Sequence, residues 1–105
     1  MEKKNVERTE DGRYIVVGGR KWRATDPLLP EESAAELRRR LMAARRAVRD
    51  ALRQQDSEAE RRARARVQLA KTALGERGTA WWEQSDAERK KRWEEGLKRL
   101  QGEPE

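Results

Sequence analysis

The chain contains no cysteine, no histidine and no phenylalanine. Without cysteine there is no disulfide framework, and without either cysteine or histidine the soft-ligand metal sites are excluded. A carboxylate-only magnesium or calcium site stays open in principle, but no ligand spacing suggests one. The commonest acid–base group is also missing, so catalysis would need perturbed carboxylates or lysine. Most carboxylates fall at helix caps or beside arginine, and no nucleophile–base pairing stands out. The expectation is a protein that is not an enzyme and carries no cofactor and no metal.

Large aliphatic residues are also scarce. Nine leucines, five valines and one isoleucine serve 105 residues, below the roughly one-fifth level at which disorder becomes a live reading. Fourteen alanines, regular apolar spacing and four tryptophans argue instead for a thin folded core. The longest strongly apolar run, Ile15-Val16-Val17, is far short of the ~18 residues of a membrane span. The opening Met-Glu-Lys-Lys-Asn leads into no apolar stretch, so no signal peptide is read there. The expected location is therefore the cytoplasm, with no membrane insertion.

What the chain has in excess is arginine. The net charge is +6, and it is unevenly placed. Residues 1–32 balance, whereas residues 33–55 hold seven arginines against Glu36 and Asp50. The basicity belongs mainly to one segment, which can mark an anionic partner or merely a solvated helix face.

Residues 1–11 are polar and read as a flexible lead-in to one small domain over 12–100. Within 12–25, Arg13-Tyr-Ile-Val-Val17 and Arg20-Lys-Trp-Arg-Ala24 flank Gly18-Gly19, which predicts a β-hairpin with a type I′ turn. The first strand is apolar on both faces, so alternation does not choose its inner one. A lone hairpin is marginal and is expected to pack on the helices, with Trp22 as its anchor. Two prolines bracket Leu28-Leu29, and Pro30 suits a first helical turn.

The first helix is predicted over 30–55, with the apolar seam Leu37, Leu41, Ala44, Val48 and Leu52. Arg38, Arg45 and Arg49 flank this seam, whereas Arg39, Arg46 and Arg53 lie opposite it. Ser57-Glu-Ala-Glu60 matches a capping box opening a second helix over 57–77. That helix has the seam Ala59, Ala63, Val67, Ala70 and Leu74, and Arg61 and Arg64 face away from it. The short connection makes the two helices antiparallel neighbours. Gly75 and Gly78 are both plausible stops, and Gly78 ends the segment better. Ser85-Asp-Ala-Glu88 is a second capping box, opening a third helix over 86–100. Its seam is Trp93, Leu97 and Leu100, with Arg89 contributing its alkyl stem. Residues 101–105 form a tail.

The fold class is thus mainly α: an N-terminal β-hairpin, a long antiparallel helical hairpin and a short C-terminal helix, with Trp22, Trp81, Trp82 and Trp93 as aromatic anchors. Two functions follow from the surface. A small non-enzyme with a thin core suits a protein partner, or self-association through Met42, Leu69 and Trp82. Alternatively Arg38, Arg39, Arg45, Arg46, Arg49, Arg53, Arg61 and Arg64 are candidates for contacts to nucleic-acid phosphates. These arginines wrap around their helices without forming one narrow stripe.

Three segments carry a resemblance: Val16-Val-Gly-Gly-Arg-Lys-Trp-Arg-Ala-Thr-Asp-Pro27, Leu41-Met-Ala-Ala-Arg-Arg-Ala-Val48, and Val67-Gln-Leu-Ala-Lys-Thr-Ala-Leu-Gly-Glu-Arg-Gly78 with Trp81-Trp82-Glu83. Over roughly residues 12–95 the chain resembles a family of small bacterial proteins often labelled "biopolymer transporter Tol". The label implies a role in energised transport at the cell envelope. It supplies no catalytic residues to carry over.

Overall fold

A glycine pair sets the first element. Gly18 and Gly19 both take positive φ, +57° and +77°, and turn β2 (Tyr14–Val17) back as β3 (Arg20–Arg23). The computed structural model describes residues 7–102, so residues 1–6 of the expected lead-in and 103–105 of the tail lie outside the described residues. Within the lead-in, Glu7–Arg8 form a further short strand, β1, antiparallel to β2, and make the hairpin a three-stranded sheet in the order β1-β2-β3. Opposite pairs are Arg8 with Ile15, Ile15 with Trp22, and Val17 with Arg20.

The helices are α1 (Glu31–Arg53), α2 (Ser57–Ala73) and α3 (Asp86–Gly102), with a single 3₁₀ turn at Trp81–Glu83 before α3. Pro30 sits at the N-cap of α1, and its carbonyl accepts from Ala34 N–H at 2.9 Å. Asp56, not Ser57, caps α2: its side chain accepts from Ala59 N–H at 3.0 Å. The box at α3 forms as spaced, with Ser85 N–H donating to Glu88 at 2.7 Å and Glu88 N–H donating to Ser85 Oγ at 3.1 Å.

Both hairpin helices stop the same way. After α2, Gly75 N–H bonds to Thr72 O and Glu76 N–H to Lys71 O, both at 3.0 Å, with Gly75 at φ +85°. This left-handed C-terminal cap satisfies two carbonyls that the helix leaves open. Gly75 therefore ends the helix, and not Gly78. After α1 the same two bonds run from Gln55 to Leu52 O and from Asp56 to Ala51 O, at 3.1 and 2.9 Å. Here the left-handed residue is Gln55, at φ +56°, the single non-glycine residue with positive φ among the described residues.

Leu37, Leu74 and Leu100, one from each helical region, are almost completely buried, and Leu29, Ala34, Leu41, Ala70, Ala73 and Trp93 complete the core around them. This cluster sits where α3 packs on the hairpin. Beyond it α1 and α2 continue as a pair, in contact through alanine. That explains two departures from the expected seams. Ala51 is buried and Leu52 is 51% exposed, because the α1 seam keeps its seven-residue spacing to the end and no third element covers Leu52. On α2, Arg66 is buried beside the alanines, while Val67 packs against the core only partly covered.

One buried carboxylate joins the parts. The peptide N–H of Asp26 bonds to Leu74 O at 3.0 Å, and its carboxylate accepts from Leu28 N–H at 2.8 Å. Arg89 grips both carboxylate oxygens through Nε and Nη2, and Arg92 Nη2 donates to Oδ2 at 2.7 Å. Arg92 also reaches Gln84 Oε1 at 2.7 Å and Ala73 O, near the negative end of α2, at 3.3 Å. Burial pushes the Asp26 carboxyl up, but hydrogen bonds from Arg89, Arg92 and Leu28 outweigh it and hold it below its ordinary 3.8. Arg89 thus works through its guanidinium as a clamp, with its side chain largely buried. Trp81 lies beside the clamp, under the Arg89 guanidinium, and donates from Nε1 to Ala24 O at 3.0 Å.

The sheet is anchored by a different tryptophan from the expected one. Trp22 is 42% exposed. The sheet instead meets the segment leading into α3: Tyr14 packs edge-on against Trp82, Arg13 and Arg23 lie over the Trp82 ring, and Arg23 donates to Gly78 O at 2.7 Å. Strand alternation puts Tyr14 and Arg23 on the face opposite Trp22, so the sheet cannot turn both faces inward.

Candidate anion-binding face

An exposed arginine presents its full charge to a ligand where no carboxylate of its own helix offsets it. Carboxylates three or four residues away do so readily. Glu36 holds Arg39 and Arg40, at 2.5 and 2.8 Å; Asp50 holds Arg53; Glu58 holds Arg61 at 3.3 Å; and Glu60 holds Arg64 at 2.7 Å. Four of the eight candidate arginines, Arg39, Arg53, Arg61 and Arg64, are therefore spoken for.

The other four are Arg38, Arg45, Arg46 and Arg49. All are exposed, and none has a carboxylate partner among the described residues. Arg45 rests against Met42 Sδ at 4.0 Å. At about 100° per residue, Arg38, Arg45 and Arg49 fall within an arc of roughly 40°. At about 1.5 Å rise per residue they lie roughly 10 and 6 Å apart along the axis. The wrap-around distribution thus separates into a neutralised set and a narrow cationic stripe. Arg46 stands to one side, in a shallow hollow of about 330 Å³ shared with Arg38, Arg39 and Met42.

Helix α2 adds to the stripe. Lys71 is half-buried, and its ammonium is held below the ordinary 10.5 first by that burial and then by the nearby charges of Arg77 and Arg45, with Glu76 opposing. Lys71 on α2 thus feels two cations, Arg77 after α2 and Arg45 on α1, and one carboxylate, Glu76. Gln68 orients Arg77, accepting from its Nη1 at 3.1 Å. Lys71 and Arg77 were not among the residues singled out from the sequence.

On another side of the hairpin α1 and α2 enclose an open groove of about 880 Å³, lined by Ala43, Ala47, Ala59 and Ala63 with Asp50 and Arg66. Among the described residues no group of three or more carboxylates could hold a metal ion, and no helix is long and apolar enough to cross a membrane. Asp26 is buried but chemically occupied: its carboxylate is taken up by two guanidinium groups and a peptide N–H.

No protein-family model, curated protein or solved structure matches the chain.

Proposed function

We propose that this is a non-catalytic binding protein whose cationic stripe takes the phosphate backbone of a nucleic acid. The observation that carries the reading is the division of the arginines. Most on α2 are paired within their own helix, whereas Arg38, Arg45 and Arg49 share one face of α1 without a carboxylate partner among the described residues, and the charge of Arg45 is felt at Lys71 on α2. Phosphate binding by such a face releases counterions, so affinity should fall steeply with salt.

The test is fluorescence anisotropy with a labelled 20-base-pair duplex and a labelled 20-nucleotide single strand. For about four phosphate contacts, raising salt from 50 to 200 mM should weaken binding on the order of a hundredfold. Changing Arg45→Glu with Arg49→Glu should abolish binding. Changing Arg53→Glu with Arg61→Glu, which alters net charge equally, should leave it largely intact. Equal losses from the two pairs would mean that net charge alone drives binding, and no binding at 50 mM would end the proposal.

A protein-interaction or adaptor role is the second reading. The alanine-lined groove supports it, because small side chains let a partner helix approach closely.

A further inference from the structure

Four tryptophans serve a chain poor in apolar residues, and one is left outside. Trp81 and Trp93 are buried and Trp82 is half-buried against Tyr14, yet Trp22 stays 42% exposed. Its surroundings are ordered. Across the sheet, Arg8, Ile15 and Trp22 form one row, and Val17 opposite Arg20 forms the next on the same face. The Arg20 guanidinium lies over the Trp22 ring, 4.8 Å from its centre, and Val17 is 43% exposed. The sheet meets the body through its other face, by way of Tyr14, Arg23 and Trp82. Among the described strand residues, the charged ones on the outer face, Arg8 and Arg20, are positive, whereas Glu7 pairs with Val16 on the opposite side.

An aromatic ring, short aliphatic side chains and flanking arginines, without a carboxylate, form a stacking platform with phosphate-matching charge. A duplex keeps its bases stacked inside and cannot use such a platform. An unpaired strand can. We infer that this outer sheet face stacks an unpaired base on Trp22, with Arg8 and Arg20 beside its phosphates, and that single-stranded nucleic acid is the preferred substrate. The inference rests on the reading of the α1–α2 stripe as a phosphate site. The molecule extends 43 Å along its longest principal axis, and a 20-nucleotide strand covers about 68 Å even at a stacked rise of about 3.4 Å per nucleotide, so one strand is longer than that axis.

The experiment compares the labelled single strand and duplex at 50 mM salt. The wild type should bind the single strand more tightly. Trp22→Thr, which keeps strand propensity, should weaken single-strand binding on the order of tenfold and leave duplex binding unchanged. Trp22→Phe should restore most of the loss. In the wild type, the single strand should also shield tryptophan fluorescence from acrylamide, since Trp22 is the most exposed of the four. Trp22→Thr with unchanged single-strand affinity, or with equal losses on both ligands, overturns the platform and leaves the stripe standing. If Trp22→Thr acts as expected while Arg45→Glu with Arg49→Glu does nothing, the stripe fails and the platform stands. No oligonucleotide binding at all overturns both.

Discussion

Gly96 lies inside α3, where a glycine costs about 1 kcal/mol relative to alanine. Exchange for alanine should therefore stabilise the helix. The structure says otherwise. A Cβ at Gly96 would fall 2.5 Å from Ala73 Cβ and 3.6 Å from Ala73 Cα on α2. Carbon atoms in contact prefer roughly 3.5–4.0 Å, so the two helices would have to part by about 1 Å. Alanine has no rotamer with which to yield. Parting the helices also loosens Trp93 and Leu100, which are buried in the same interface. Overpacking of this kind costs about 1–3 kcal/mol, and the upper end applies where both atoms are fixed to backbone. The net expectation for Gly96→Ala is a loss of about 1–2 kcal/mol, read as a lower urea midpoint at unchanged slope. Gly102→Ala, with nothing within 4 Å of the new Cβ, is the control and should be near neutral. The double variant Gly96→Ala with Ala73→Gly moves the methyl across the interface and should recover near wild-type stability, a favourable coupling of about 2 kcal/mol. A stabilised Gly96→Ala, or a double variant that is merely additive, would refute the close approach of α2 and α3.

Two further outcomes follow from the backbone and the clamp. Gln55→Gly should stabilise the protein by about 0.5–1 kcal/mol in the same urea assay, because the left-handed conformation strains a side-chain-bearing residue by more than glycine's extra chain entropy. Asp26→Asn should cost about 3–5 kcal/mol, since it leaves two arginines facing a neutral partner in a buried site. The Asp26 carboxyl titrates below its ordinary 3.8 when folded. Its contribution is therefore complete above about pH 4 and disappears as pH falls through the folded value. Thermal melts from pH 7 to pH 2 should show the wild type losing its advantage over Asp26→Asn only in that acid range.

The parts of this fold that were legible in the sequence are those set by near neighbours. Gly18-Gly19 announces its turn, and Ser85 with Glu88 announces its cap. The first three seam positions of α1, Leu37, Leu41 and Ala44, also follow from spacing. Leu52 misled because the larger residue was preferred to Ala51 at the end of α1, where the helix pair is held by alanine and nothing rewards bulk. Asp26 was invisible because its partners lie 63 and 66 residues away. Trp22 looked like an anchor because a scarce tryptophan is normally spent inside. The candidate site was half legible. Counting carboxylates at three and four residues from each arginine separates the neutralised set from Arg38, Arg45 and Arg49. No such count shows that Lys71 on α2 feels the charge of Arg45 on α1, which follows only when α2 folds back on α1.

The Asp26 clamp also bears on the order in which the molecule assembles. The α1–α2 pair closes through a turn of a few residues and needs little chain entropy to form. The clamp joins residues more than sixty apart, and the Trp81–Ala24 bond beside it spans 57. Contacts of such separation come late unless something else has already brought the ends together. Here the helical pair does so, by carrying Leu74 back to the Asp26 peptide. The clamp then acts as a latch on a nearly finished structure. Its loss should speed unfolding and leave folding almost unchanged, which makes it a determinant of how long the folded molecule lasts more than of how fast it arises.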